Sequence, residues 1–497
     1  MNQPLNKRGL DRRRAGILLH ITSLPGPAEC GDLGPDAYRF VDFIQQTGFS
    51  VWQILPVGPT QADGSPYQSS SMHAGNPRLI SISELADLAL LPPEFAHKEQ
   101  IGEADKKRLL RAAWKEFQAN PRPELRSELD LFITETSVWL EDYTLFRALW
   151  EENGNRCWWR WPAPLRDRDP AALKAARRRL AAAVEYIRFE QFLFFRQWLR
   201  LKRYANQRGV LLFGDMPIFV AHDSAEVWAH RDLFELDKEG HPLVVAGVPP
   251  DYFSATGQRW GNPLYRWDKL EQGGFAFWVD RMKTQLDLFD LIRVDHFRGF
   301  EAYWEIPAVN EHAIEGRWVK VPGERLFEQL HDIYDPLPLI AEDLGFITPE
   351  VDALRRKFEL PGMKILQFAF SGGADNPYLP FRHEINSVTY TGTHDNDTTL
   401  GWYLGLDDDS RLYVDEYLGR SREAMPWPMI RQALASRSQL AVIPMQDLLA
   451  LGSEHRMNLP GTVESNWRWR FQWEQVDQDL PRKLRRRGEL YGRIPPG

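Results

Sequence analysis

The sequence predicts an α/β fold: a closed (β/α)8 barrel of the TIM type with inserted subdomains. Three observations lead there. Eight short apolar runs, rich in Val, Ile and Leu, recur along the 497 residues. Most are separated by stretches of helical periodicity, and parallel strands covered on both faces read as such continuous runs. Acidic and histidine residues gather where the runs end, and in this fold the carboxyl ends of the strands carry the chemistry.

In order, the first run is Gly16–Leu24, followed by a helical pattern through Tyr38, Phe40, Val41, Phe43 and Ile44. The basic residues Arg12, Arg13 and Arg14 precede only five apolar residues before His20. That is too short for the core of a signal peptide, and it reads as a strand. The second run is Val51–Val57 and the third Val210–Val220, the latter after a long amphipathic run from Ala182 to Arg208. Phe189, Phe192, Phe194 and Phe195 on that run read as core. Then come Leu291–His296, Leu339–Leu344, Met363–Phe370, Val388–Asp395 and Leu440–Leu448. Roughly 150 residues part the second run from the third, too many for one crossover helix. An insertion over about 60–205, mostly helical, is therefore expected, with the aromatic cluster Cys157-Trp158-Trp159-Arg160-Trp161 inside it. A second excursion, about 221–275, is loop-rich in Gly, Pro and aromatics and suits a lid over substrate; a third covers about 297–330. With no solenoid repeat and no low-complexity linker, 1–497 reads as one catalytic barrel with insertions.

Composition narrows the partners. Lys+Arg 61 against Asp+Glu 69 leaves a net charge of −8, no polycation for nucleic acid or an anionic membrane. No apolar stretch approaches the roughly 20 residues a bilayer requires. Two cysteines, Cys30 and Cys157, make no disulfide framework, so a cytoplasmic location is expected. Nineteen Trp, and 12% aromatic residues in all, suit a small-molecule ligand with apolar faces, such as a sugar. No phosphate-binding glycine loop, GxSxG elbow or CxxC pair is present.

Asp215, Asp295, Glu342 and Asp395 all fall at or near strand ends. Any one of them could be a helix N-cap, a position Asp favours; four together point to a site. Carboxyl groups on separate strand ends are what glycosidic-bond chemistry needs. An ionised one attacks the anomeric carbon and a protonated one gives its proton to the leaving oxygen. Arg293 stands two residues before Asp295, so both side chains share one face of a strand. The cation favours an ionised Asp295, hence a nucleophile. Glu342 is the candidate acid/base, and Asp395, beside His394, a candidate for sugar hydroxyls and a distorted ring. Each has a plainer alternative: Arg293–Asp295 as a structural ion pair, Glu342-Asp343 as a cap for the helix near Thr348, and His394-Asp395-Asn396-Asp397 as a metal site of poor spacing.

Eight segments together carry a specific resemblance: Ser65-Pro66-Tyr67-Gln68, Ala74-Gly75-Asn76-Pro77, Gly214-Asp215-Met216-Pro217-Ile218, Gly257-Gln258-Arg259-Trp260-Gly261-Asn262-Pro263, Ile292 through Gly299, Ala341-Glu342-Asp343-Leu344-Gly345, Thr393-His394-Asp395-Asn396 and Asn458-Leu459-Pro460-Gly461-Thr462. Over its whole length the chain resembles the amylomaltase (disproportionating enzyme) family of 4-α-glucanotransferases, glycoside hydrolase family 77, relatives of the α-amylases. The resemblance implies Asp295 as nucleophile, Glu342 as general acid/base and Asp395 as transition-state stabiliser. It implies that Arg293, His394, Asp215 and Tyr67 contact the sugar at the cleavage subsite. It places Asp251, Gln258 and Trp260 in a mobile loop over the acceptor side, where Tyr252 and Phe253 add aromatic faces. Met72-His73 is a small departure from the family's apolar or aromatic pattern there. The expected substrates are maltooligosaccharides, glucose and α-glucans, with no cofactor and no metal. An α-amylase-like hydrolase and a non-catalytic glucan-binding barrel are the alternatives; loss of a catalytic acid would mark the latter, and all three acids are present.

Overall fold

The computed structural model describes residues 10–97, 100–120, 122–250 and 254–494. Eight strands form one all-parallel sheet: Arg14–Leu18, Val51–Gln53, Leu211–Met216, Leu291–Val294, Leu339–Ala341, Gly362–Ile365, Ser387–Tyr390 and Leu440–Pro444. Taken in chain order as the first to eighth barrel strands, each pairs with its successor except the fifth, and the eighth pairs with the first. The seam between fifth and sixth is bridged where Ala341 N–H donates to the Pro361 carbonyl at 2.9 Å. The ring is thus nearly closed, with that one bond in place of a ladder at the seam, and every predicted apolar run supplies one of its strands.

Alternation decides what fills the ring. Side chains at i and i+2 point the same way, and the buried interior cluster holds Phe213, Leu291, Ile340, Met363, Ile365, Val388, Tyr390, Leu440 and Val442. Each full burial of a Leu, Ile, Val or Met side chain stabilises the fold by about 1.5–3 kcal/mol. Two residues further along the third, fourth and fifth strands, the same inward row continues as Asp215, Arg293 and Glu342. The lower rungs are thus hydrocarbon and the upper rungs ionisable. Gly214 has a steric reason: a Cβ there would lie 2.2 Å from the Phe289 ring.

Between the second and third strands run helices including Glu103–Ala119, Pro123–Glu135, Ser137–Glu152 and the 27-residue Ala181–Gln207. The last buries Phe189, Phe192, Phe194 and Phe195. His73 is buried there too. Its ring stacks on Trp139 (centroids 5.8 Å, planes 7° apart), and burial holds it neutral, its pKa lowered to about 3. At the Met72-His73 departure, histidine thus packs as a flat neutral ring. Segments 221–275 and 297–330 pair with each other in a four-stranded antiparallel sheet beside the barrel mouth. Its strand order is Gln258–Pro263, Val244–Val248, Ala302–Pro307 and Arg317–Lys320. Among the described residues no helix is long and apolar enough to cross a membrane.

Candidate active site

A cavity of about 330 Å³ opens at the carboxyl ends of the barrel strands, and Tyr67, Gln258, Trp260, Asp295 and Asp395 are among its lining residues. Its floor is built by strand register. Asp215 and Arg293 are direct neighbours on the third and fourth strands, and Arg293 Nη1 donates to Asp215 Oδ2 at 2.5 Å. Its other terminal nitrogen, Nη2, lies 2.8 Å from Asp295 Oδ1. One buried guanidinium thus bridges two carboxylates, geometry that suits its rigid fork.

Asp295 hangs just beyond the fourth strand. Its backbone N–H donates to the Met216 carbonyl at 3.0 Å, and its side chain keeps 28% of its surface exposed toward the cleft. Burial raises its pKa; Arg293 pulls it down, but neighbouring Asp215 and Asp395 push it up again, and the net shift is upward. The Arg293 effect expected from sequence is present, yet desolvation and two further carboxylates outweigh it.

Glu342 sits in a different environment. Oε2 accepts the His296 N–H at 2.7 Å and Oε1 the Leu344 N–H at 3.0 Å. Both donors are neutral backbone groups. Burial raises its pKa, with Arg293 the main opposing influence and Asp295 itself a further upward push. His296 can aim its N–H here because it adopts the left-handed region, φ 52°, uncommon for a residue with a Cβ. The cap alternative belongs to neither acid. Asp343 instead accepts the Met363 N–H at 2.6 Å, and Thr348, before the helix Pro349–Lys357, makes no side-chain cap.

Continuing from Asp215, Tyr67 donates its hydroxyl to Asp215 Oδ2 at 2.9 Å and meets His394 Nε2 at 2.8 Å. A phenol has one proton. With it committed to the carboxylate, the hydroxyl accepts from His394, so Nε2 carries hydrogen. The same Nε2 lies 3.3 Å from Asp395 Oδ2. Asn458 Nδ2 donates to Asp395 Oδ1 at 2.7 Å. Burial would raise Asp395, but His394 and Asn458 outweigh it and hold the carboxyl well below the ordinary range.

Gln258 and Trp260 lie on the edge strand of the side sheet. Trp260 Nε1 donates to Gln258 Oε1 at 3.1 Å, and its ring meets His296 edge-on at 4.8 Å. Asp251, with Tyr252 and Phe253, lies outside the described residues. The site also holds groups to which the sequence reading assigned no role. One is the Asn458 amide. Another is Trp467, whose half-buried ring packs 5.9 Å from Tyr67 and 6.0 Å from His394. Trp467 has φ 64°, costly for a bulky residue; no property of its residue type announces that conformation.

This constellation can be set against known proteins. A family profile described as 4-alpha-glucanotransferase matches residues 19–476. The chain belongs to the 4-alpha-glucanotransferase family. Within it, the chain is 50% identical to the 4-alpha-glucanotransferase of Thermus thermophilus, over 97% of this chain and 99% of that one. It is 42% identical to the chloroplastic/amyloplastic enzyme of Solanum tuberosum, over 97% and 87%. Among solved structures, the amylomaltase of Streptococcus agalactiae in complex with acarbose superposes with a TM-score of 0.93 at 35% identity, covering 97% of this chain and all of that one. An Anoxybacillus α-amylase, at 11% identity and TM-score 0.51, shares the fold alone.

Asn458→Ala should test how much of the site depends on the hydrogen bond to Asp395. A charge-assisted hydrogen bond contributes about 1.5–3 kcal/mol, so kcat on a maltooligosaccharide is expected to drop about 10- to 100-fold with the unfolding midpoint little changed. A wild-type rate would show that Asp395 needs no such anchor.

Proposed function

We propose that this family member transfers α-1,4-glucan segments from a maltodextrin donor to the 4-hydroxyl of a glucose or glucan acceptor by a retaining double displacement. One observation supports the division of labour: Asp295 is ion-paired to a guanidinium, whereas Glu342 is held only by neutral backbone N–H groups. A cation stabilises the ionised form of its partner, so the proton shared by such a pair resides on Glu342. Asp295 attacks C1 of the donor glucose while Glu342 protonates the departing oxygen, leaving a covalent glucanyl ester of inverted configuration. Glu342, now ionised, takes the proton of the acceptor's 4-hydroxyl, which attacks C1 and restores the α-bond. Asp395, kept ionised by His394 and Asn458, stabilises positive charge developing on the ring. Bond type is the same in donor and product, so the exchange requires no energy source.

Arg293, Asp215, Tyr67 and His394 form the connected floor against which the reacting ring is oriented. Trp260, backed by Gln258, and Asp251 are assigned to the acceptor side, where aromatic cover excludes water from the ester. Free Cys30 and Cys157 support a reducing, cytoplasmic setting.

Incubation with maltotriose tests the reading. Expected is glucose plus a ladder of longer glucans at a constant number of reducing ends. Glucose and maltose with rising reducing ends would mean a hydrolase, and no turnover a binding protein; either result overturns the proposal.

The active form needs Asp295 ionised and Glu342 protonated. Burial raises both carboxyls above their ordinary range, so the acidic step that protonates Asp295 and the basic step that ionises Glu342 both lie above that range. The rate should therefore follow a narrow bell with its maximum between those steps. A kcat/KM profile still rising well above neutrality would contradict the role of Glu342.

A further inference from the structure

Beyond the cleft, on the side of Glu342, the surface carries aromatic rings that the reaction above does not use. Phe346 is 73% exposed and Trp318 38% exposed. Single exposed aromatics are common and need no function. These two are not isolated. The Arg298 guanidinium lies 3.8 Å over the Trp318 ring and 5.8 Å from the Phe346 ring. Arg298 is 6% exposed, its Nη1 donates to the Phe346 carbonyl, and its Nε has no hydrogen-bond partner among the described residues. Trp318 is braced from behind by Trp304, edge-on at 5.3 Å.

Their place follows from how Glu342 is held. The two N–H groups on its carboxyl come from His296 and Leu344. Two residues further along each of those segments stand Arg298 and Phe346, themselves hydrogen-bonded. The aromatic step is thus fastened to the same two turns that position the acid. Phe346 stands four residues after Glu342, a span of at most about 14 Å. The group that protonates the leaving oxygen later deprotonates the acceptor, so its side of the cleft is where an acceptor enters. Pyranose rings present apolar C–H faces that stack on aromatic rings, and fixed rings lose little entropy on doing so.

We propose that Phe346 and Trp318, bridged by Arg298, form a binding platform for the distal rings of a long acceptor α-glucan. The proposal rests on the acid/base reading of Glu342. A glucose acceptor supplies one ring beside Glu342, whereas a maltohexaose chain is long enough to span the distance of at most about 14 Å from there to Phe346. The platform therefore selects for acceptor length and takes no part in bond exchange.

The test compares end-labelled glucose and end-labelled maltohexaose as acceptors for one maltotriose donor, in wild type, F346A and W318A. The preference for maltohexaose over glucose, as a ratio of kcat/KM, is expected to fall about fivefold in each variant through a higher KM for maltohexaose. Wild-type transfer to both acceptors with an unchanged ratio in F346A would overturn the platform alone. No wild-type transfer to either would overturn the glucan-transfer reading instead. Phe346 and Trp318 are exposed, and matching thermal unfolding midpoints would show that a changed ratio is not a folding defect.

Discussion

Asp295→Asn is expected to abolish glucan transfer, lowering kcat by roughly 10⁴-fold or more, because Asp295 is the group proposed to form the ester with C1. The fold should survive. Arg293 keeps its 2.5 Å contact with Asp215, and Asp295 N–H keeps its bond to Met216, since the backbone is untouched. The sign of the stability change can be worked out. The folded-state pKa of Asp295 is raised, by burial first and then by Asp215 and Asp395 against the pull of Arg293. An ionised carboxylate with a raised pKa costs folding free energy at neutral pH. Asparagine carries no such charge, so the unfolding midpoint should stay level or rise. The measurement is product chromatography on maltotriose beside a thermal melt. Transfer within tenfold of wild type would remove Asp295 from the nucleophile role; loss of activity with a lower melting point would leave a structural ion pair as the better account.

Glu342→Gln should produce the second largest effect, and a more selective one. General acid catalysis contributes about 10²–10⁴-fold, so transfer from maltotriose should drop by about 10³-fold. An α-glycosyl fluoride needs little protonation of its leaving group, and its first step should fall far less. The substitution has a geometric cost as well. Both carboxyl oxygens accept backbone N–H groups, and a glutamine amide turns an NH2 toward one of those donors. The loop carrying Leu344 is expected to shift slightly, which affects both substrates alike. The difference between the two losses, and not either loss alone, measures the acid. Equal losses on sugar and fluoride donors would assign Glu342 a purely structural part.

The eight strands were legible because a strand buried on both faces has no polar side to interrupt it. Leu440–Ile443 reads as an unbroken apolar run and is a strand. The Arg293–Asp295 pair was legible for a similar reason: residues two apart on a strand share a face, so their contact follows from local geometry. Conformation at single positions was not legible. His296 and Trp467 hold positive φ, which histidine adopts more readily than most residues with a Cβ and tryptophan does not, and neither position is marked by its neighbours in sequence.

Which residues touch across the site belongs to the same class. Asp215 meets Arg293 across 78 residues, Tyr67 meets Asp215 across 148, and Tyr67 meets His394 across 327. The carboxylates and the barrel, written in residue type and short-range periodicity, can be read from the chain alone, and the eight motif segments carry the family resemblance. Partnerships, tautomer and the raised pKa of Asp295 and of Glu342 exist only once strand register and burial bring those groups together. Coulombic and desolvation effects depend on distance and on excluded water, and linear spacing encodes neither.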